Sequence, residues 1–225
     1  MKISIVCAFE DEIKLLTGKM SEVKSSIICG IPITSGKIGG HEINLCIGGI
    51  GKSNAAATTQ FNISALGCDA LLNIGLAGNC SSLPLGGAVV ASKLVYHDYN
   101  MEWARESAPF VTYFTPDKRL VAAAKAVLDK LGTPYIDGVV ATGEQFIQDS
   151  AVKADIVART DCKCVEMEGA AFAHIAQKCG VPFAVIKVMS DNADEAGHDD
   201  FSQTISVGGY CDLSSRVIYE LVKSL

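Results

Sequence analysis

Three short stretches place carboxylates where they can do chemistry. Cys164-Val165-Glu166-Met167-Glu168-Gly169 and Val185-Ile186-Lys187-Val188-Met189-Ser190-Asp191 each read as a short apolar strand ending in an acid. Glu10-Asp11-Glu12 follows a first apolar run, Ile3–Phe9. In an open α/β sheet the carboxyl ends of strands border the ligand crevice. An acid held there is either bonded to a ligand or costly to bury. Carboxylates converging on one small polar substrate are therefore expected. An acid such as Asp191, set against Val188 and Met189, should have its pKa raised by desolvation and hold a proton near neutrality.

The elements that must position these groups alternate between strand and helix. Strands are expected at residues 2–8, 31–38, 42–47, 70–74, 88–96, 135–141 and 183–189. Helices are expected at 10–20, 53–66, about 117–131, 149–159, 167–179 and 202–223. Gly39-Gly40 supplies the positive φ of a hairpin turn between 31–38 and 42–47. The segment 97–115 reads as irregular and aromatic. No repeat, low-complexity stretch or linker marks a boundary, so 1–225 reads as one domain. The alternation predicts an α/β fold, a three-layer α/β/α sandwich around a central mixed sheet.

Composition excludes several classes. Of 225 residues, 49% are hydrophobic and 20% charged, with a net charge of −6. That is enough apolar material for a large core and argues against disorder. No stretch concentrates Lys or Arg, so no nucleic-acid partner is expected. No apolar run approaches the ~20 residues needed to cross a bilayer, so no membrane partner is expected either. The apolar start is stopped by Glu10-Asp11-Glu12, too soon for a signal peptide. The nine cysteines include no Cys-x-x-Cys pair. They read as reduced thiols of a cytoplasmic protein. Cys162, Cys164 and His174 match no common zinc spacing, and no metal is expected.

Two glycine loops stay open on residue grounds alone. Gly48-Gly49-Ile50-Gly51-Lys52-Ser53 lacks the spacing of a P-loop, having Cys46 where a glycine belongs, and Asn54 breaks the dinucleotide fingerprint. It either relieves strand-to-helix strain or brings backbone close to a ribose or anion. Gly75-Leu76-Ala77-Gly78 either permits close packing or lets a flat ring lie on the backbone. Glu10–Glu12 can likewise be a solvated first helical turn. Glu166, on the opposite strand face from Met167, reads as structural, His97-Asp98 as a surface pair, and His198 as loop capping.

In order and spacing, Met1–Glu12, Gly48-Gly49-Ile50-Gly51-Lys52, Gly75-x-Ala77-Gly78, Tyr96-His97-Asp98, Gly143-x-x-Phe146-Ile147, Val165-Glu166-Met167-Glu168 and Ser190-Asp191 resemble the 5′-methylthioadenosine/S-adenosylhomocysteine nucleosidases of the nucleoside phosphorylase superfamily. The resemblance runs end to end. It implies a nucleoside phosphorylase-like fold and hydrolysis of the N-ribosidic bond of adenine 5′-thionucleosides, with no cofactor. Asp191 resembles the acid that protonates adenine N7, with Ser190 before it, and Glu12 the carboxylate that activates water. Glu168 resembles the ligand of the ribose diol, and Met167 packs under the sugar. Phe146 resembles the base-stacking ring, and Ile147 the residue whose backbone meets the base. Phe201 resembles a wall of the 5′-alkylthio pocket. Phe9, Ile50, Leu76, Ala77, Gly78 and Lys187 fall at the same site. The family usually has Arg at Lys187, a small hydroxyl residue at Leu76 and Met at Phe9. The resemblance further implies a homodimer in which Met101 or Trp103 nears the neighbour's pocket.

Two rival functions belong beside this one. A phosphorylase would need cations for phosphate, ideally arginine forks. The first arginine is Arg105, so the loops at 10–12 and 48–52 supply only Lys52. A non-catalytic nucleoside-binding protein is the third reading, resting on Leu76 and Lys187.

Overall fold

The computed structural model describes residues 1–108, 110–207 and 209–225. Among them, nine strands form one mixed sheet: β1 (Lys2–Cys7), β2 (Ser21–Ile28), β3 (Ile31–Ile38), β4 (His41–Ile47), β5 (Ala70–Asn79), β6 (Ala88–Tyr96), β7 (Tyr135–Thr142), β8 (Cys162–Glu166) and β9 (Phe183–Asp191). Their order is β2-β3-β4-β1-β5-β8-β7-β6-β9, and β9 also pairs with β5. That last pairing closes β5, β8, β7, β6 and β9 into a ring, with β2, β3, β4 and β1 running out from it as an open sheet. The central pairs β1–β4, β1–β5, β5–β9, β6–β7 and β7–β8 are parallel. The hairpins β2–β3 and β3–β4 are antiparallel.

The helices are α1 (Lys14–Thr17), α2 (Lys52–Phe61), α3 (Met101–Glu106), α4 (Lys118–Leu131), α5 (Ser150–Thr160), α6 (Gly169–Lys178), α7 (Gly197–Val207) and α8 (Gly209–Ser224). Side-chain alternation along continuous apolar strands sends residues to both sheet faces. In β9, Ala184 and Ile186 join β1, β4, α4 and α8 in one core, while Phe183, Val185 and Met189 pack with α6 in the other. Helix α4 begins where the Asp117 carboxylate accepts the Arg119 and Leu120 N–H groups. It ends at Gly132, whose φ of 66° suits a left-handed cap.

Several expectations are corrected. The helix at 10–20 is a 3-10 turn, Glu10–Ile13, followed by the four residues of α1. Strand β2, not expected, occupies 21–28, and all its residues are exposed. Without a buried face it carries no hydrophobic alternation to read. Strand β5 continues past Ile74 to Asn79, because Gly75–Gly78 pair with β9. The segment 97–115, expected to be irregular, contains α3, capped by Asn100, whose side chain accepts the Glu102 N–H; its residue 109 lies outside the described residues. The closing helix expected at 202–223 is described as α7 and α8, and residue 208 within that span lies outside the described residues.

Candidate active site

The carboxyl ends of β5, β8 and β9 and the loops after β4 and β7 enclose a cavity of about 310 Å³. Phe9, Ile50, Leu76, Ala77, Gly78, Phe146, Ile147, Met167, Glu168, Ser190, Asp191 and Phe201 line it, together with Gln145, Val165 and Glu166. Among these described lining residues there is no Lys, Arg or His. Of the site residues expected from the sequence, Glu12 and Lys187 lie off the lining. Gln145 and Val165 were not expected. Val165 belongs to the quoted Val-Glu-Met-Glu run and Gln145 precedes Phe146, so adjacency was the available signal.

Asp191 ends β9 at 1% exposure. Its Oδ2 accepts the Ser190 hydroxyl (2.7 Å) and its Oδ1 the Ala193 N–H (2.8 Å). Burial pushes its carboxyl above the ordinary range, and these two donors only partly offset that. Strand β5 makes room beside it. A Cβ on Gly78 would come within 3.1 Å of Asp191 Oδ1 and 2.8 Å of the Ala193 methyl.

Glu12 folds back from the 3-10 turn rather than pointing outward with exposed Glu10 and Asp11. Its Oε2 accepts the Ala8 and Phe9 N–H groups (2.9 and 3.3 Å), and its Oε1 accepts Leu76 N–H (3.0 Å). A solvated helical turn is thereby excluded for Glu12, which is 3% exposed. It sits one hydrogen bond from Leu76, which does line the cavity. Burial raises its carboxyl, and Lys187 pulls the other way.

Glu168 stands where β8 hands over to α6, and its Oε1 accepts the Gly51 N–H (2.9 Å). The loop Gly48–Gly51 thus brings backbone to an acid of the site. Burial pushes the Glu168 carboxyl up to about 7, with Lys187 opposing and Glu166 reinforcing the shift.

The expectation that Lys187 contacts the substrate site is corrected, whereas Glu166 has the structural role expected of it. Lys187 is 2% exposed and does not reach the cavity lining. Its amine lies 2.8 Å from Glu166 Oε2 and 4.0 Å from Glu168 Oε2. Burial alone would lower its pKa, but Glu166, Glu168 and Glu12 together hold it above the usual lysine range. Glu166 is fixed by more than this ion pair. It also accepts the Thr142 hydroxyl and the Glu168 and Gly169 N–H groups. Despite burial, Lys187 and these donors keep its carboxyl below the ordinary range. A cation bonded to one acid and close to a second is the arrangement that lets three carboxylates share a dry interior.

Phe146 meets Phe201 edge-on at 5.5 Å between centroids, and Phe201 meets Phe9 at 6.2 Å, forming an aromatic mouth. His198 caps no loop; it lies in α7 and turns its ring edge-on to Phe146. Of the expected surface pair His97 and Asp98, Asp98 is exposed but His97 is not. His97 is 7% exposed and packs on Gly143, where a Cβ would collide with its ring. Asp98 binds the Lys52 amine through both oxygens at 2.8 Å. His174 pairs with the Tyr96 hydroxyl (3.2 Å), and Cys162 and Cys164 are buried in β8. Among the described residues no helix is long and apolar enough to cross a membrane.

An apolar cavity carrying a partly desolvated acid on one strand end and a second, separately held carboxylate on another can protonate a leaving group and grip hydroxyls. Comparison with known proteins agrees with that chemistry. Residues 2–223 match the Phosphorylase superfamily. The chain is 33% identical to a 5′-methylthioadenosine/S-adenosylhomocysteine nucleosidase of Shewanella halifaxensis over 100% of both chains. Among solved structures it resembles the enzyme of that name from Neisseria meningitidis, in complex with methylthio-immucillin-A (TM-score 0.94, 30% identity, 100% of this chain and 99% of that one). It also resembles futalosine hydrolase of Helicobacter pylori (TM-score 0.91, 29% identity, 100% and 98%). Cavity, carboxylates and likeness coincide along the whole length, and the chain belongs to the 5′-methylthioadenosine/S-adenosylhomocysteine nucleosidase family of the phosphorylase superfamily.

Proposed function

We propose that the chain hydrolyses the N-ribosidic bond of adenine 5′-thionucleosides such as methylthioadenosine and S-adenosylhomocysteine, releasing adenine and the thioribose. The observation that carries this is one apolar cavity holding Asp191, Glu168 and the Phe146 ring, beside a buried Glu12. Asp191 delivers its proton to adenine N7 as the C1′–N9 bond breaks and its electron pair moves into the base. Water adds to C1′ and passes a proton to Glu12. This is the two-carboxylate logic of an inverting glycosidase. Glu168 binds the 2′- and 3′-hydroxyls, Met167 packs under the sugar, Phe146 stacks on the base, and Ile147 offers it backbone groups. Phe201, with Ile50, walls the 5′ substituent, and Phe9 lies beside the sugar. Leu76, Ala77 and Gly78 form the floor beside the base, and Ser190 orients the acid. Lys187 acts on the two glutamates rather than on the substrate.

The absence of a cation from the described lining favours water over phosphate, and the Lys52 amine is committed to Asp98. We also propose a homodimer, with Met101 or Trp103 near the neighbour's pocket. This is supported by the exposure of Trp103 (66%) on α3, the helix that also carries Met101. A cytoplasmic location fits the nine free thiols. Adenine release from methylthioadenosine, measured with and without phosphate, tests the reaction. Release that is unaffected by phosphate is expected. Phosphate-dependent release would make the chain a phosphorylase, and no release from any adenine nucleoside would leave a binding protein.

A further inference from the structure

The hydrogen bond from Gly51 to Glu168 is held in place by three charged side chains outside the cavity lining. Gly51 directly precedes α2, and the first residue of that helix is Lys52. The Lys52 N–H donates to Glu144 Oε1 (3.0 Å), and the Lys52 amine reaches both Asp98 oxygens (2.8 Å each). Asp98 Oδ2 also accepts the Glu144 N–H (2.8 Å). These bonds form a closed circuit: Lys52 backbone to Glu144 side chain, Glu144 backbone to Asp98, Asp98 back to the Lys52 amine.

The circuit joins two neighbouring loops that both contribute to the cavity lining. One carries Ile50 and Gly51; the other carries Gln145, Phe146 and Ile147. The second loop has its own anchor, because the Gly143 N–H donates to the Glu166 carbonyl (3.1 Å). The glycine loop is anchored at its start, where the Gly48 and Gly49 N–H groups donate to the Cys7 and Ala8 carbonyls (2.9 and 3.2 Å), so the circuit fixes its far end, at Gly51 and Lys52. Exposed ion pairs contribute little, but here the Lys52 and Asp98 side chains are only 23% and 26% exposed, and both carboxylates also accept a backbone N–H. Part burial works against ionisation of Asp98, yet the Lys52 and Glu144 donors hold its carboxyl below the ordinary range. Gly51 has a φ of +95°, and a Cβ there would lie 2.6 Å from Glu144 Oε2, so only glycine lets the carboxylate close on this loop. The Gly51 and Lys52 N–H groups, unpaired within the helix, are thereby satisfied by Glu168 and Glu144 respectively.

We propose that Lys52, Asp98 and Glu144 are positioning residues for the ribosyl reaction: their circuit anchors the glycine loop to the base-side loop and so aims the Gly51 N–H that orients the Glu168 carboxylate at the sugar diol. The proposal rests on the reading of Glu168 as the diol ligand. The test compares kcat/KM for methylthioadenosine and its 2′-deoxy analogue in Lys52→Met, Asp98→Asn, Lys52→Arg and Glu168→Gln. Lys52→Met and Asp98→Asn should each lose about tenfold with the ribonucleoside and under threefold with the deoxy analogue. The acid limb of the pH profile should move to higher pH in both, because Glu168 loses a donor to its charged form. Lys52→Arg, which keeps a cation on Asp98, should restore most of the ribonucleoside rate. Equal losses with the two substrates, no loss, or an Arg variant as poor as the Met variant would overturn the circuit's role. If Glu168→Gln discriminates between the two sugars as strongly as the parent, the diol reading itself fails. If Glu168→Gln loses that discrimination while Lys52→Met and Asp98→Asn keep it, the circuit alone fails.

Discussion

In the proposed reaction Asp191 is the acid that keeps its proton until the base needs it, and its surroundings support that reading. It is buried, and its two donors, Ser190 and Ala193, do not fully offset the burial. Asp191→Asn keeps the shape and the Ala193 contact but has no proton to give. Turnover should fall by ~10²–10⁴-fold with the melting temperature little changed; a variant keeping a tenth of parental activity would take Asp191 out of that role. Glu168 makes a prediction about pH. A carboxyl pushed up to about 7 becomes ionised only as pH rises through that value, so kcat/KM should climb across neutrality toward alkaline pH. In Glu168→Gln that limb should vanish, because no titrating group remains there; a limb that persists unchanged assigns it to another acid. Glu168 and Asp191 were legible because each closes an apolar run, and Glu12 through the resemblance of its segment. The bond between Lys187 and Glu166 was not, since strand sequences carry no mark of which side chains meet across the ring that β5 and β9 close.

At the scale of elements, β5 shows how a strand can serve a site without contributing a charged side chain. A Cβ on Gly75 would collide with Glu12 Oε1, and three backbone donors hold that carboxylate. Gly75→Ala should cost about 1–3 kcal/mol of stability, as overpacking does, and should depress activity beyond that loss; unchanged denaturation and kinetics would show that Glu12 has room to move. Strand β9 makes the companion case through Lys187, placed between two acids. Lys187→Met leaves Glu166 and Glu168 buried without their cation and should destabilise the fold by about 3–5 kcal/mol. It should also move the acid limb to higher pH, because Lys187 favours the ionised form of Glu168. Lys187→Arg keeps the charge and should lose less on both counts; Met and Arg variants that behave alike in melting and in pH profile would show that charge at this position is idle. Elements with a buried face, such as β9 and α4, announce themselves by continuous or periodic apolar residues. Strand β2 has no buried face, and α3 is a six-residue helix whose visible signal was the Asn100 cap.

For the whole molecule, the closed ring of five strands gathers the ends of β5, β8 and β9 at one mouth, which is why acids far apart in sequence share one cavity. The flank of that mouth is apolar in an unusual way. Met101 and Tyr99 line a second hollow with Tyr96, Phe114 and Lys52, and Trp103 stands 66% exposed beside it. A tryptophan so exposed forgoes much of the burial gain of a large aromatic, and such residues are favoured anchors between subunits. Lys52 belongs both to this hollow and to the circuit with Asp98, so a subunit docking there would bear directly on the sugar-side loop. The chain should therefore sediment at twice its own mass, and Trp103→Asp should shift it toward the monomer, since a charge set against an apolar partner surface opposes docking. Its kcat/KM should fall in step with the dimer fraction and recover at high protein concentration. A monomeric parent, or a monomeric Trp103→Asp variant with full activity at every concentration, would show that each chain completes its own site.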